Sequence, residues 1–371
     1  MKFKEHTLEE LEAKRSRISS RFALVGLDGF VDRIVTPVAS RSGPGDDFMP
    51  ISTITEFARR IDEAAGKSTN IELYPREDRL GGNGPIMANA LVTAGMKTRY
   101  IGALGSPEVL PVFQEFARKT EAVSLCDPGA TNALEFTDGK IMLNNTAVLE
   151  HITYEKIVAT IGEGKFFDLF SRLDLIAMVN WTMIPAMTDI LGSFLDKVLP
   201  NLPSRDQRVF FFDLADPAKR SDSDIKSALL TIKRFQSHGK TILGLNLKEA
   251  QTVGRILGIG ESDTNAEGLK RLATRIRQEL ALGVVAVHPR ECAVCATRED
   301  AWHVPGPYTE TPLTTTGAGD HFNAGFVLGQ SLNMTPLASL ALGVASSGYM
   351  VRRGRGPSLN DLDAFLRNWP A

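Results

Sequence analysis

The sequence predicts an α/β protein in which a mostly parallel central sheet carries helices on both faces and a small β-sheet is added. Short apolar segments alternate with helical patterns between residues 170 and 330, an alternation typical of a parallel sheet covered on both sides. Asp138-Gly139 separates two apolar segments, residues 133–136 and 140–143, which is a strong hairpin signal. Because a hairpin is unusual between α/β units, we expect these strands to belong to the small sheet.

The predicted elements follow one another from the N-terminus. A charged amphipathic pattern over residues 7–20 predicts a helix, with Thr7 and Glu10 at the spacing of a capping box. We expect an N-terminal helical appendage, residues 1–21, before one α/β domain, residues 22–371. Apolar runs and helical periodicity predict the remaining elements, namely strands over residues 22–26, 70–74, 97–104, 173–179, 209–212, 241–245 and 283–287 and helices over 51–65, 111–119 and 336–350.

Composition restricts the class of protein. Lys and Arg total 42 and Asp and Glu 44, which gives a net charge of −2 at pH 7, and no basic run predicts a nucleic-acid surface. No stretch approaches the ~20 apolar residues of a membrane span, and the N-terminus lacks the apolar region of a signal peptide. Cysteines are sparse, as in proteins of the reducing cytoplasm. We therefore expect a cytoplasmic protein without membrane or nucleic-acid partners.

Cys292 and Cys295 have the spacing of a redox or metal-binding pair. No second pair lies near them in the sequence, and the apolar residues around them predict a strand instead of the turn of a redox site. A buried strand is the favoured interpretation, and a redox or metal role is the alternative.

A glycine-rich turn, residues 317–319, precedes a helical pattern in the C-terminal part of the chain. Phe322 and Phe326 share one face of that helix, so the turn should lie at the helix N-terminus, where free N–H groups and the helix dipole favour an anion. Glycines let a phosphate approach the backbone, and Asp320 is placed to orient an attacking hydroxyl. The alternatives are an Asp320 that only caps the helix and a dinucleotide-binding turn, which would need glycine at position 322.

Two acids and a second glycine-rich turn lie in the N-terminal part. Asp28 and Asp32 follow the first predicted strand, at the strand end where open α/β sheets bind ligands, and carboxylates accept hydrogen bonds from polyol hydroxyls. Gly81, Gly82 and Asn83 open a helical pattern. Glycines let the backbone reach a ligand, and Asn83 can both donate and accept. The structural alternatives are a turn, a solvated acid and a loop that caps a helix.

Both glycine-rich turns resemble signatures of the ribokinase-like carbohydrate kinases, the PfkB family. Thr-Thr-Gly-Ala-Gly-Asp, which ends at Asp320, is similar to the C-terminal signature, and Gly-Gly-Asn-Gly, residues 81–84, is similar to the N-terminal one. The resemblance implies a ribokinase-like three-layer fold whose small β-sheet forms a lid from residues of about 33–80 and 122–150. It implies that the amides of Gly317, Ala318 and Gly319 form an anion hole and that Asp320 is the catalytic base. It also implies a sugar site formed by Asp28, Asp32, Gly81, Gly82 and Asn83.

Later segments resemble the nucleotide and metal site of the same family. Asn246 and Glu249 have the spacing of a capping box, and the resemblance adds a magnesium site, since Mg²⁺ prefers oxygen ligands and retains several waters. His288 and Arg290 follow a predicted strand where the family approaches the nucleotide phosphates. Gly354 belongs to a segment that lies beside the nucleotide in the family.

The chain departs from the family pattern at three positions. Thr314 stands where the family usually has an Asp that helps to hold a monovalent cation, which leaves K⁺ activation open. Ile86 replaces a frequent Asn that contacts the sugar, which disfavours ribose. His288 lies where the family commonly has Thr-x-Gly.

The predicted function is a kinase that transfers the γ-phosphate of ATP, with Mg²⁺, to a hydroxymethyl group of a sugar or sugar-like molecule. Asn180, Asp213 and Arg220, at predicted strand ends, are further candidate contacts. A nucleoside kinase of the same family and a non-catalytic ligand sensor with this fold are the alternatives. The resemblance also implies that two copies could associate through the lid.

Overall fold

The computed structural model describes residues 2–203 and 208–370. The strands are β1 (Phe22–Leu27), β2 (Phe30–Arg41), β3 (Phe48–Pro50), β4 (Leu73–Gly81), β5 (Lys97–Gly102), β6 (Val123–Ser124), β7 (Gly129–Phe136), β8 (Gly139–Asn145), β9 (Leu175–Met178), β10 (Val209–Asp213), β11 (Lys240–Leu245), β12 (Val284–Val287), β13 (Cys292–Ala296) and β14 (Ala301–Pro305). The α-helices are α1 (Lys2–Lys14), α2 (Ile54–Asp62), α3 (Asn83–Thr93), α4 (Gln114–Lys119), α5 (Tyr154–Ile161), α6 (Glu163–Ser171), α7 (Met187–Ser193), α8 (Asp222–Arg234), α9 (Leu247–Ile256), α10 (Ala266–Leu280), α11 (Ala318–Ser331), α12 (Pro336–Arg353) and α13 (Leu359–Arg367).

The large sheet has the strand order β14-β13-β12-β11-β10-β9-β1-β5-β6. The strands from β12 to β6 along this order pair in parallel, and β13 and β14 extend the sheet as antiparallel strands. Parallel strands bring their carboxyl ends to one edge, so the residues that follow β1, β9, β10, β11 and β12 meet there.

Two hydrophobic cores lie on opposite faces of this sheet. Phe210 belongs to one core and its neighbour Phe211 to the other, because successive side chains of a strand point to opposite faces. Helices α5 to α10 cover the first face, and α1, α3, α4, α11, α12 and α13 cover the second. Strand β10 is buried along its whole length, which explains why its sequence is continuously apolar up to Asp213.

The small sheet consists of β2, β3, β4, β7 and β8. Strand β2 pairs with β7 in parallel and with β4 in antiparallel orientation, and β7 and β8 form the hairpin around Asp138-Gly139 that the sequence predicts. A third core of Val35, Ile51, Phe57 and Leu134 joins helix α2 to this sheet. The expected α/β architecture with an additional small sheet is therefore observed.

The N-terminal helix differs from its prediction. Helix α1 begins at Lys2, so Thr7 lies inside it, and the Thr7 hydroxyl donates to the carbonyl of Phe3 at 2.7 Å. The capping box predicted at Thr7 and Glu10 is therefore wrong, because a side chain inside a helix cannot cap its N-terminus. Leu11 and Ile18 are 2% and 1% exposed and belong to the core beneath α12.

Element boundaries also differ from the prediction in and beside the small sheet. The strand predicted over residues 70–74 runs from Leu73 to Gly81, because charged residues continue it along an exposed edge of the small sheet. The helix predicted over residues 51–65 begins only at Ile54, since the Thr53 hydroxyl caps it by accepting from the N–H of Glu56.

Cys292 and Cys295 lie on β13, as the strand interpretation predicts, and both are free thiols. They contact opposite cores, because residues three apart on a strand point to opposite faces. This arrangement cannot form a shared ligand pair. Among the described residues, no helix is long and apolar enough to cross a membrane.

Candidate active site

The first turn of α11 forms one side of a cleft at the carboxyl edge of the large sheet. Gly317 adopts a left-handed conformation, φ +82°, and precedes the helix, which is a backbone geometry that favours glycine. The N–H of Ala318 donates to the carbonyl of Thr315 at 3.2 Å, so Ala318, predicted as an anion-hole donor, already has a partner. The N–H groups of Gly319 and Asp320 donate to no backbone carbonyl within the described residues, and they are the donors that an anion can reach.

The first turn of α3 forms the opposite side of the cleft, and Asp28 holds it in place. The Asp28 carboxylate accepts from the N–H of Asn83 at 2.9 Å, from the N–H of Gly84 at 2.8 Å and from Nδ2 of Asn180 at 2.6 Å. Its side chain is fully buried. Asp28, predicted as a sugar ligand, therefore has a carboxylate that accepts from three protein donors, and it organises the first turn of α3.

The two glycine-rich turns meet at Asn83 and Asp320. Nδ2 of Asn83 donates to Oδ1 of Asp320 at 2.9 Å, across 237 residues of sequence. Asp320 occupies the third position of α11 and makes no capping hydrogen bond to its own helix, so the capping alternative is wrong. The side chain of Ile86 lies against the turn as well, since a Cβ on Gly317 would be 3.2 Å from Cγ2 of Ile86.

Asp32 extends the α3 side of the cleft toward the small sheet. It lies on β2, opposite Arg79 and Thr131 in the register, and its carboxylate lies against Gly81, where a Cβ would be 2.5 Å from Oδ2. A side chain at position 81 would displace this carboxylate. Burial raises the pKa of Asp32, although the Thr131 hydroxyl and Lys140 lower it.

Four carboxyl groups at this edge influence one another. Burial raises the pKa of Asp320 well above its usual range, and the carboxylates of Asp213, Asp28 and Glu249 raise it further, while the Asn83 hydrogen bond lowers it. Burial raises the pKa of Asp28 to about 6 against the four hydrogen bonds that lower it. Burial and Glu249 likewise raise the pKa of Asp213. Such a concentration of buried acids favours the binding of a cation.

Asn246 and Glu249 form a complete capping box at the start of α9. Oδ1 of Asn246 accepts from the N–H of Glu249 at 3.0 Å, and Oε2 of Glu249 accepts from the N–H of Asn246 at 2.9 Å. Oε1 of Glu249 accepts from the N–H of Asp216 at 2.9 Å. The box therefore fixes the Glu249 carboxylate beside the cleft, as the sequence predicts.

Asp213 and Glu249 are the candidate ligands for Mg²⁺ at this edge of the sheet. Oδ1 of Asp213 is buried without a hydrogen-bond partner in the described part of the chain, while its Oδ2 accepts from Nδ2 of Asn323 at 3.0 Å. An orphaned carboxylate oxygen next to a second carboxylate, Glu249, is a fitting pair of oxygen ligands or of acceptors for metal-bound water. No cluster of three or more His, Cys, Asp or Glu residues that could hold a metal by itself occurs among residues 2–203 and 208–370.

The predicted nucleotide residues lie in different surroundings. The ring of His288 packs on Phe322 with centroids 4.5 Å apart, and its Cε1 would be 3.4 Å from a Cβ on Gly319. Nε2 of His288 is buried without a partner in the described residues, and burial lowers its pKa to about 4. Arg290 is exposed on the loop after β12, and Gly354 ends α12 in a left-handed conformation, φ +67°.

The remaining candidates from the sequence have mainly structural contacts. The guanidinium of Arg220 lies 4.7 Å from the ring of Trp181 and donates to the carbonyls of Thr182 and Pro185. Asn180 holds Asp28, as described above.

Comparison with known proteins identifies the family. A family model described as prokaryotic ketohexokinase matches residues 4–369 of the chain. The chain belongs to the prokaryotic ketohexokinase family. A ketohexokinase of Haloferax volcanii is 27% identical over 360 residues, which cover 96% of this chain and 94% of that relative.

Solved structures confirm the ribokinase-like fold for this member of the prokaryotic ketohexokinase family. Ribokinase of Thermotoga maritima is 16% identical with a TM-score of 0.63, covering 94% of this chain and 99% of its own. A nucleoside kinase of Methanocaldococcus jannaschii is 11% identical with a TM-score of 0.60, covering 94% and 98%. The resemblance to ribokinase-like carbohydrate kinases is thereby confirmed, and the chain is a sugar kinase by family.

Two residues of this cleft belong to none of the sequence motifs described above. Asn323 lies three positions after Asp320, is 1% exposed and donates to Asp213. A polar residue one turn after Asp320, within the otherwise apolar stretch of residues 322–329, is a signal that could have found it. Asp213 is weighed in the sequence only as a strand-end residue, and its pairing with Asn323 depends on the packing of α11 against β10.

Proposed function

We propose that this protein uses ATP to phosphorylate a hydroxymethyl group of a ketohexose. The family match and the Haloferax relative, which is named ketohexokinase, support a ketose as the acceptor. The same two observations favour a sugar over a nucleoside.

The observation that carries the proposal is the contact between Asn83 and Asp320. It brings the predicted sugar turn and the predicted phosphate turn to within one hydrogen bond of each other. An acceptor hydroxyl that contacts Asn83 therefore also lies within reach of the Asp320 carboxylate, which can orient it and take its proton. Phosphoryl transfer depends mainly on such positioning and on stabilisation of charge.

The other residues have roles that follow from their contacts. Asp32 and the Gly81-Gly82 backbone bind sugar hydroxyls, with Asp28 holding the turn. The N–H groups of Gly319 and Asp320, with Gly317 shaping the turn, stabilise charge on the moving phosphoryl group. His288 fits a phosphate contact through its orphaned Nε2, and Arg290 and Gly354 remain predicted nucleotide contacts.

Glu249 and Asp213 would hold magnesium, and Asn246 would fix Glu249. The predicted role of Asn246 as a metal ligand stays a prediction. When bound, Mg²⁺ neutralises charge on the phosphates.

K⁺ activation also stays open, and turnover measured in K⁺ and in a bulky organic cation decides it. A cytoplasmic location and association of two copies through the small sheet stay predictions; light scattering over a range of concentrations tests the association.

Replacement of the proposed base tests the catalytic assignment. Asp320→Asn removes the proton acceptor with little change in shape, so we expect kcat to fall by about two to four orders of magnitude with a much smaller change in ATP affinity. Asp224→Asn is the matched control, because Asp224 is also the third residue of a helix, α8, and is exposed. Near-full turnover in Asp320→Asn would exclude the role.

A panel of acceptors tests the substrate class. ATP consumption is measured with ketohexoses, aldohexoses, ribose and nucleosides, and phosphorus NMR of the product identifies the hydroxymethyl group that reacts. Turnover only with nucleosides would support a nucleoside kinase, and consumption with no acceptor, together with measurable ligand binding, would support a sensor.

A further inference from the structure

His321 is a buried histidine, directly after Asp320, that the proposed transfer step does not use. It is 6% exposed, and its ring Nδ1 lies 2.8 Å from the carbonyl oxygen of Gly317. Because a carbonyl only accepts, Nδ1 must carry the proton and donate. The backbone N–H of His321 donates to the same oxygen at 3.0 Å. One residue therefore occupies both lone pairs of the Gly317 carbonyl.

This carbonyl belongs to the peptide unit that begins the phosphate turn. A peptide unit is planar, so the direction of the Gly317 C=O fixes that of the Ala318 N–H. That N–H is held in turn by the Thr315 carbonyl at 3.2 Å. Both ends of the unit are anchored, and the free N–H groups of Gly319 and Asp320 follow directly from it in the chain.

The opposite side of the His321 ring lies against the loop between α12 and α13. A Cβ on Gly356 would be 2.9 Å from Nε2 and 3.3 Å from Cδ2 of His321, so the ring or the loop would have to shift to admit it. Gly356 is not among the glycines with a left-handed backbone, and the imidazole occupies the space that a side chain at this position would need.

We propose that His321 is a positioning residue that clamps the phosphate turn of α11 to the loop at Gly356 and so holds the turn in the orientation that phosphoryl transfer needs. The imidazole touches neither substrate nor the reacting atoms in this role. The inference rests on the proposed function, because it assigns the turn at residues 317–320 to the phosphoryl group.

Kinetics of His321 variants test the clamp. His321→Ala removes the ring, so we expect kcat to fall by about tenfold to a hundredfold, with the KM for the sugar nearly unchanged. His321→Asn restores a side-chain N–H at a similar distance from the backbone and should recover most of the loss. His238→Ala is the control, since His238 lies just before β11, at the opposite edge of the sheet. A His321→Ala enzyme with kcat within about twofold of wild type would overturn the proposal.

A double-mutant cycle tests the contact with the loop. Gly356→Ala places a methyl group against the imidazole and should lower kcat in the wild-type background. In the His321→Ala background the space is free, so the same change should have little effect, and the two changes should be strongly non-additive. Equal effects of Gly356→Ala in both backgrounds would show that the ring and the loop are not coupled. If His321→Ala does not fold, the cycle is run with His321→Asn.

The state of the imidazole gives a readout that is independent of activity. Burial lowers the pKa of His321, so the ring should stay neutral near pH 7, with its proton on Nδ1. Long-range nitrogen–proton NMR of protein with ¹⁵N-labelled histidine, with His321→Asn as the assignment variant, should show the Nδ1–H tautomer and a shift of its signals in Gly356→Ala. An Nε2–H tautomer would exclude the clamp. Absence of turnover in the wild-type enzyme would instead count against the proposed function and leave this test intact.

Discussion

Asn83 and Asp320 form the contact on which the cleft depends at the residue scale. The amide of Asn83 stabilises the ionised form of Asp320, whereas burial and three neighbouring acids favour the protonated form. A base of this kind is active only when ionised, so kcat/KM should fall as the pH decreases through a pKa that is higher than that of an ordinary Asp. The balance between one donor and several acids thus sets the lower pH limit of turnover.

Asn83→Ala tests this balance. Loss of the donor raises the pKa of Asp320 further, so the acid limb of the pH profile of kcat/KM should move to higher pH, and activity at pH 7 should fall by roughly tenfold. Asn89→Ala, on the same helix, is the control because the side chain of Asn89 makes no hydrogen bond among the described residues. An unchanged acid limb with only a raised KM would show that Asn83 contacts the sugar without tuning the base.

At the scale of elements, the first turns of three helices form the candidate site. Helices α3, α9 and α11 each present their N-terminus to the same edge of the large sheet. On α3, the N–H of Asn83 donates to Asp28, and Nδ2 of Asn83 donates to Asp320 on α11. At the start of α9, the N–H of Asn246 donates to Glu249. The N-terminus of a helix offers unpaired N–H groups and a positive dipole end. Such helix ends help to stabilise carboxyl groups that are gathered at one edge of the sheet.

Asn246→Ala tests the capping box of α9 at this scale. Loss of the N-cap should lower the free energy of unfolding by about 1 kcal/mol. Because the box also fixes Glu249, the Mg²⁺ concentration that gives half-maximal activity should rise. Asn265→Ala is the control, because Asn265 caps α10 by accepting from the N–H of Gly268 at 2.9 Å. The control should lose similar stability with an unchanged Mg²⁺ response, and the same response in both variants would contradict a metal role for Glu249.

At the scale of the whole molecule, the N-terminal segment packs against the α/β domain. The division between residues 1–21 and 22–371 stays a prediction, but α1 contributes Leu11 to the core that α11 and α12 share. The Glu10 carboxylate accepts from the N–H of Thr335, at the start of α12. These contacts make α1 part of the packing around the start of α12.

Leu11→Ala tests how far α1 belongs to the domain. Truncation of a fully buried leucine should lower the free energy of unfolding by about 2–5 kcal/mol, measured by denaturant unfolding. Leu230→Ala is the control, because Leu230 is 53% exposed on α8 and should change stability little. A loss in Leu11→Ala as small as that of the control would show that residues 1–21 are an appendage.

The sequence by itself determined the features that depend on neighbouring residues. Continuous apolar runs identified the buried strands such as β10, Asp138-Gly139 identified the hairpin, and the spacing of Asn246 and Glu249 identified the capping box. The glycine-rich turns identified the two sides of the cleft, because glycine is required where a backbone must bend or approach a ligand closely.

Only the tertiary structure decided which side chains meet. Asp28 and Asp32 both follow the first predicted strand, yet Asp28 is enclosed by three donors from α3 and from the loop after β9, while Asp32 lies at the cleft. Asp213 and Asn323, like His321 and Gly356, are paired by the packing of α11 against a strand and a loop that are distant in the chain. Local patterns report backbone geometry and burial, whereas these contacts depend on distances across the molecule that no single segment encodes.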